Sequence, residues 1–435
     1  MLGSVVLVGI LAVAACSLRS LALPCIVAVI AFVAVPEAAV YTLGVPGLGG
    51  VNLGVLVVMA TATVQVLFRA PTYLADVMAR PWIWIVLAVW IAGATITNFV
   101  ATSSSPSTWA ELVVAPPAAY LLVQRLGAES AAGRALLARA IVTVAALEAV
   151  LALAIWTGVV DQPFAEAHST FTYWWTPEYA RALGTMDSSL VLAGLMLAAI
   201  GLLASVRSNW MVIATSALFL VTIATAESRG ALGLGLVVLT VLLVRRRVPF
   251  ATALGLVFAA VMTLAVVVLV NPELTDGLSA KLEDDNGSAN ARVRGIAVGV
   301  PAALETTLVG NGPSSSFSIA RSLGLATSFE NPVIMTALDW GLLPALAFVT
   351  AQLFALRSGF RARVRVRGDV LVPGALLAAS AYSVYLLTFS SYALTSGIAV
   401  FTWIVLGLTA PPNRELPRTE RALNESQPAV AEVRS

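Results

Sequence analysis

Apolar runs long enough to cross a lipid bilayer recur along this chain, near 2–17, 21–35, 51–68, 82–99, 109–123, 135–158, 187–206, 210–226, 231–244, 249–270, 331–356, 370–388 and 393–409. About 20 helical residues cross the ~30 Å hydrocarbon core. The chain is therefore expected to be an all-α polytopic membrane protein of about 12–13 transmembrane helices, with a possible re-entrant turn in 36–50. Only 11% of its residues are charged, against about 25% in soluble domains. The first run ends in LAVAAC before Ser17, similar to a lipoprotein cleavage box. It lacks a basic segment ahead of it, so it reads as a retained helix.

Positive charge collects in cytoplasmic loops. Arg245, Arg246 and Arg247 mark one such loop, and Arg357, Arg361, Arg363, Arg365 and Arg367 another. Alternating from these places 19 of the 25 basic residues inside, with the N-terminus outside and the C-terminus inside. Six cations are left on the outer side: Arg181, Arg229, Lys281, Arg292, Arg294 and Arg321. Arg229 falls where the spans 210–226 and 231–244 meet, in the stretch TIATAESRGALG. At mid-membrane an arginine costs roughly 2.5–3.5 kcal/mol. At this boundary it can snorkel, pair with Glu227 or hold an anion.

Two outer segments are long. The first, 159–186, carries Tyr173, Trp174 and Trp175, which suit either an interfacial belt or a sugar-stacking surface. The second, 271–330, opens at Asn271-Pro272, passes through EDDNGSAN and predicts a helix capped by Ser288 or Asn290. Gly310-Asn311-Gly312-Pro313 is expected to end that helix. Glu283, Asp284 and Asp285 lack the alternating ligand spacing of an EF-hand, so they read as a solvated turn. One histidine, His168, and two cysteines, Cys16 and Cys25, exclude a disulfide framework and a His- or Cys-rich metal centre. No phosphate-binding glycine loop, nucleophile elbow or internal repeat is present. The tail 411–435, rich in Pro, Glu and Arg, reads as disordered, leaving 1–410 as one membrane domain.

Four stretches together resemble the O-antigen ligase and polymerase-like family of membrane glycosyltransferases. They are Arg181-Ala-Leu-Gly184-Thr-Met, Glu227-Ser-Arg-Gly-Ala-Leu-Gly233, Arg292 through Gly310-Asn-Gly312, and Asn331 through Asp339-Trp-Gly341-Leu-Leu. The resemblance covers roughly 181–356. Glu330 stands where the family has a histidine, and Ile296 where it has an aromatic residue.

The resemblance implies a GT-C-like fold with a large extracytoplasmic loop in a bacterial cytoplasmic membrane. The implied reaction moves a glycan from a polyprenyl-diphosphate-linked donor to an acceptor hydroxyl on the outer face, as a ligase or a polymerase does. The partners are that donor, a glycan or glycolipid acceptor and the bilayer, with no cofactor, metal or nucleic acid. Arg229, Arg292, Arg181 and Arg294 are the diphosphate ligands, since arginine's planar fork binds such oxygens bidentately. Glu330, Arg229 and Arg292 are the catalytic candidates. Glu330 has three readings: the base for the acceptor hydroxyl, a residue that orients the acceptor, or the ion-pair partner of an arginine. Asn331, Asp339, Trp174 and Trp175 are the substrate-binding candidates. A transporter or flippase for a lipid-linked saccharide or other anion is the rival class. Such proteins often show duplicated halves, a symmetry this sequence lacks.

Overall fold

The computed structural model describes residues 2–42, 51–101, 105–171, 181–248, 255, 262, 285–325, 328–365, 371–387 and 396–410. The first half contains α1 (Leu2–Cys16), α2 (Ala22–Ala34), α3 (Glu37–Thr42), α4 (Leu53–Met78), α5 (Pro81–Val100) and α6 (Pro106–Trp109). A π-helical turn, Ala110–Val114, leads into α7 (Ala115–Glu129), followed by α8 (Ala131–Trp156) and α9 (Ala165–Phe171). Then come α10 (Ser189–Leu202), α11 (Asn209–Thr225), α12 (Arg229–Arg245) and α13 (Asp285–Leu304). The chain closes with α14 (Ser315–Ser322), α15 (Pro332–Trp340), α16 (Leu342–Arg365), α17 (Leu371–Leu387) and α18 (Ser396–Leu408). Among the described residues there is no strand. Four segments are long and apolar enough to cross a membrane: α4, α5, α8 and Leu342–Arg363 of α16. Six shorter apolar helices accompany them. Length and composition together are those of a membrane protein.

Local chemistry sets where the helices start. Asn52, Ser130, Ser188 and Ser208 cap α4, α8, α10 and α11, each side chain accepting from a backbone N–H of the first turn. Pro81 and Pro332 open α5 and α15, where a missing N–H does no harm. Pro71 inside α4 breaks regularity at Arg69, whose φ is −135°.

The core is built around α10, which is buried at every position from Val191 to Leu202. A helix apolar on all faces needs neighbours on all faces, and α8, α11, α12 and α17 supply them. Against α17 the backbones nearly touch. A methyl group at Gly201 would lie 2.7 Å from Ala378, and one at Gly374 would lie 2.2 Å from the Cβ of Ala204. Such small-residue contacts replace hydrophobic drive between helices in a bilayer.

The connections sort to two ends. At one end, Arg69 reaches Leu18 O and Glu129 (3.2 Å), and Arg125 reaches Asp76 (3.4 Å). Arg134 donates to Ala410 O (2.9 Å), and Arg246 to Asn209 Oδ1 (2.9 Å), at this same end. At the other end Ala182, Ser228 and Gly310 make their contacts. Arg69, Arg125, Arg134 and Arg246 thus meet at one end of the helices. Tags at residue 285 and at the C-terminus are expected to report opposite sides of the membrane, outside and inside respectively. Both tags in the cytoplasm would overturn that orientation.

Two expectations need correction. The run 331–356 is not one helix but α15 and α16, parted at Gly341. That residue has φ +106°, and a Cβ there would lie 2.7 Å from Leu308 O, so the break needs glycine. Ser288 and Asn290 do not cap α13; both lie inside a helix already under way at Asp285, which ends at Leu304, before the Gly310–Pro313 turn. The expected span 249–270 lies almost wholly outside the described residues, as do most of 36–50, Asn271-Pro272, Lys281, Glu283, Asp284 and the tail.

Candidate functional site

At the end where Ala182, Ser228 and Gly310 make their contacts, two Arg–Glu pairs are built in similar ways. Helix α11 ends in a Schellman turn: Glu227 N–H donates to Ala224 O (2.9 Å) and Ser228 N–H to Ile223 O (3.3 Å). This turn needs a left-handed residue, usually glycine, yet Glu227 fills it with φ +55°. Strain of roughly 1–3 kcal/mol at such a position points to a task for the side chain. Its Oε2 accepts from Arg181 Nε at 2.8 Å. Ala182 N–H donates to Thr225 O (3.0 Å) and fixes the Arg181 segment against the same turn.

Below Arg181, Gly184 (φ +63°) lets the chain pass Glu148 of α8. The carboxylate of Glu148 receives the Thr185 N–H at 2.6 Å and the Thr185 hydroxyl at 2.9 Å. Asp187 accepts from Glu37 N–H (2.7 Å).

Arg229 is exposed at the first position of α12. The preceding Ser228 does not cap the helix; its hydroxyl donates to Tyr385 Oη (2.8 Å), which donates to Leu190 O (3.1 Å). A cation on a helix N-terminus opposes the dipole, and the uncapped N–H groups there attract anions.

The second pair uses α13. Gly295 and Gly299 leave room for Phe329: a Cβ at Gly295 would lie 2.7 Å from Phe329 O, and one at Gly299 would lie 2.6 Å from its ring. This contact brings Arg292 Nε to 3.1 Å from Oε2 of Glu330, which is again left-handed (φ +47°). Each glutamate directly precedes the residue at the cap position of a helix, Ser228 or Asn331. Arg292 keeps 53% of its side chain exposed and Arg181 30%. Arg294 is exposed, its Nη2 lying 3.4 Å from where a Cβ on Gly324 would sit.

Asn331 and Asp339 are occupied within the fold. Asn331 Oδ1 caps α15, accepting from Val333 and Ile334 N–H. Asp339 caps α14, accepting from Ser316 N–H (2.7 Å), Ser316 Oγ (3.2 Å) and Ser315 Oγ (3.1 Å). Burial in this short helix, outside the membrane-crossing segments, pushes its carboxyl up to about 6 against those hydrogen bonds. The Gly310–Gly312 turn threads alongside: Asn311 N–H donates to Leu338 O (2.8 Å) and Gly312 N–H to Asp339 O (3.0 Å). Gly310 N–H donates to Thr97 Oγ1 (3.2 Å), and that hydroxyl donates to Trp340 O (2.9 Å). Both residues therefore hold the frame. Trp174 and Trp175 lie outside the described residues.

The structure thus joins Arg181 to Glu227 and Arg292 to Glu330, and sets Arg229 two residues from Glu227. The end of α17 lies between the two pairs. Its Tyr385 holds Ser228, while its Ser383 and Leu386 share a cavity of about 100 Å³ with Pro332 and Val333 of α15. Glu148 and Asp187 join the site without a motif to announce them. Glu148 had a signal, being the only carboxylate in the run 135–158. Set against known proteins, the chain matches no family model, no curated sequence and no solved structure.

Proposed function

We propose that this chain is a membrane glycosyltransferase of the O-antigen ligase or polymerase type. It would have a GT-C-like fold, and its active site would face outward from a bacterial cytoplasmic membrane. The observation that carries the reading is the pairing of the four motifs, two by two, at one end of the helices. A sugar carried on a polyprenyl diphosphate leaves behind an anion of two or more charges at the membrane surface. Arg229, at a helix N-terminus, and Arg292, with its fork largely exposed, bind those oxygens and stabilise the charge that grows as the glycosidic bond breaks. Arg181 and Arg294 add to the same positive field. The test is transfer: protein purified into lipid is given lipid-diphosphate oligosaccharides and acceptor glycan. Formation of extended or ligated product supports the reading, and its absence across donors overturns it.

Two further outcomes follow. Turnover is expected to survive EDTA, because the sequence offers one histidine and two cysteines, both in apolar runs, and no chelating pattern at 283–285. Loss on chelation, with rescue by magnesium, manganese or calcium, would reassign the acidic turn as a metal site. Glu330 is engaged by Arg292, so it acts here as a positioning carboxylate. Glu330→Gln should lower transfer by less than about tenfold. A loss of roughly 10²–10⁴-fold, with Glu330→His retaining activity, would make Glu330 the general base instead.

A further inference from the structure

A cavity of about 1200 Å³ opens at the arginine-rich end, between α8, α11 and the end of α12. It exceeds the ~300–1,000 Å³ of ordinary small-molecule sites. Arg134, Arg139, Arg207, Arg245 and Arg246 line it, with no aspartate or glutamate among the described lining residues. Two of the five serve the fold: Arg134 holds Ala410 O, and Arg246 holds the carbonyls of Leu203, Ala204 and Val206. Arg139, Arg207 and Arg245 are exposed, and among the described residues no carboxylate comes within ion-pair distance of them. Arg363 of α16 adds to the imbalance, standing close enough to Arg245 for the two charges to repel.

The wall above these charges is apolar. Arg139, Thr143, Leu147 and Val150 form one exposed stripe up α8, with helical spacing, and Met211 and Leu218 of α11 line the groove beside it. At 1.5 Å per residue the stripe runs about 16 Å into the apolar zone. A cluster of unneutralised guanidiniums at the mouth and an apolar furrow leading away from it match an amphiphile with an anionic head. Basic pockets between membrane helices bind such head groups. A free anion would leave the furrow unused.

We propose that this groove is a binding site for an anionic phospholipid. The phosphate sits on Arg139, Arg207 and Arg245, and an acyl chain lies along α8. The site lies at the opposite end of the helices from the two Arg–Glu pairs, and the inference does not depend on the proposed transferase activity.

The test uses the full chain in detergent, titrated with dioleoylphosphatidylglycerol or dioleoylphosphatidylcholine, with bound lipid counted by native mass spectrometry. Wild type should retain phosphatidylglycerol in preference to phosphatidylcholine, and high salt should weaken that preference. The triple variant Arg139→Gln, Arg207→Gln, Arg245→Gln should bind phosphatidylglycerol about 100-fold more weakly. Leu147→Trp keeps every arginine and fills the furrow, so it should also lose the lipid; it serves alone if the triple variant does not insert. Equal retention of the two lipids, or unchanged phosphatidylglycerol binding in the variants, means ordinary boundary lipid and overturns the site. Displacement by inorganic phosphate as readily as by phosphatidylglycerol means a free-anion pocket and also overturns it.

Discussion

Alanine at Arg229 or at Arg292 is expected to reduce glycan transfer by at least roughly 10²–10³-fold, the loss typical of deleting one charge-stabilising donor. Expression and insertion should stay near normal, because both side chains are exposed. Lysine should rescue only partly, since a point charge cannot reproduce a bidentate fork. The two sites differ in one respect. Arg292→Ala also leaves Glu330 without its partner at 3.1 Å, a bare carboxylate close to where a diphosphate would sit. The double change Arg292→Ala, Glu330→Gln separates the two effects. If it restores wild-type rates, Arg292 serves only to neutralise Glu330. If the loss persists, Arg292 is itself a ligand. Initial rates with a lipid-diphosphate oligosaccharide decide the matter. Full activity in both single alanine variants would remove the diphosphate clamp altogether.

Most of the helical frame is legible in the sequence because it follows from local composition. Runs of apolar residues, serine and asparagine caps and helix-opening prolines each act within a few positions. The boundary placement of Arg229 follows from the same run lengths. What escapes the sequence depends on distant backbone. The break at Gly341 is invisible because Pro332–Leu338 is itself apolar and continues the pattern; the break is set by Leu308, 33 residues away. The sequence offers Arg229 as a partner for Glu227, whereas the fold sets Arg181 Nε 2.8 Å from that carboxylate, at a left-handed turn the sequence does not show. Asn331 and Asp339 read as ligands from their motif, yet their oxygens cap helices whose starts hydropathy does not mark. The site is thus partly readable as a set of charges. Its pairing is tertiary information.

Gly184→Ala should be a damaging single-methyl change, because the methyl meets a buried carboxylate at a left-handed position. The added Cβ would sit 2.0 Å from Oε1 of Glu148 and 3.2 Å from Ala152, at a backbone φ of +63°. Left-handed backbone alone costs an alanine roughly 1–2 kcal/mol. Overpacking adds roughly 1–3 kcal/mol where neighbours cannot give way. Glu148 is only 5% exposed, and swinging it aside breaks both hydrogen bonds from Thr185, stranding a buried carboxylate. A combined loss of about 2–5 kcal/mol is expected, read as a lower melting temperature in detergent. Gly158→Ala supplies the control, because Gly158 is also left-handed (φ +73°) but has nothing within 4 Å of the added methyl. It should show the backbone cost alone. Combining Gly184→Ala with Glu148→Ala removes the obstructing carboxylate, so the two changes should be less than additive. The same displacement moves Arg181, three residues away, off Glu227, so transfer should fall along with stability. Equal melting temperatures for the Gly184 and Gly158 variants would show that Glu148 yields freely. The Glu148–Thr185 contact would then add nothing to the Ala182–Thr225 bond in holding the Arg181 segment.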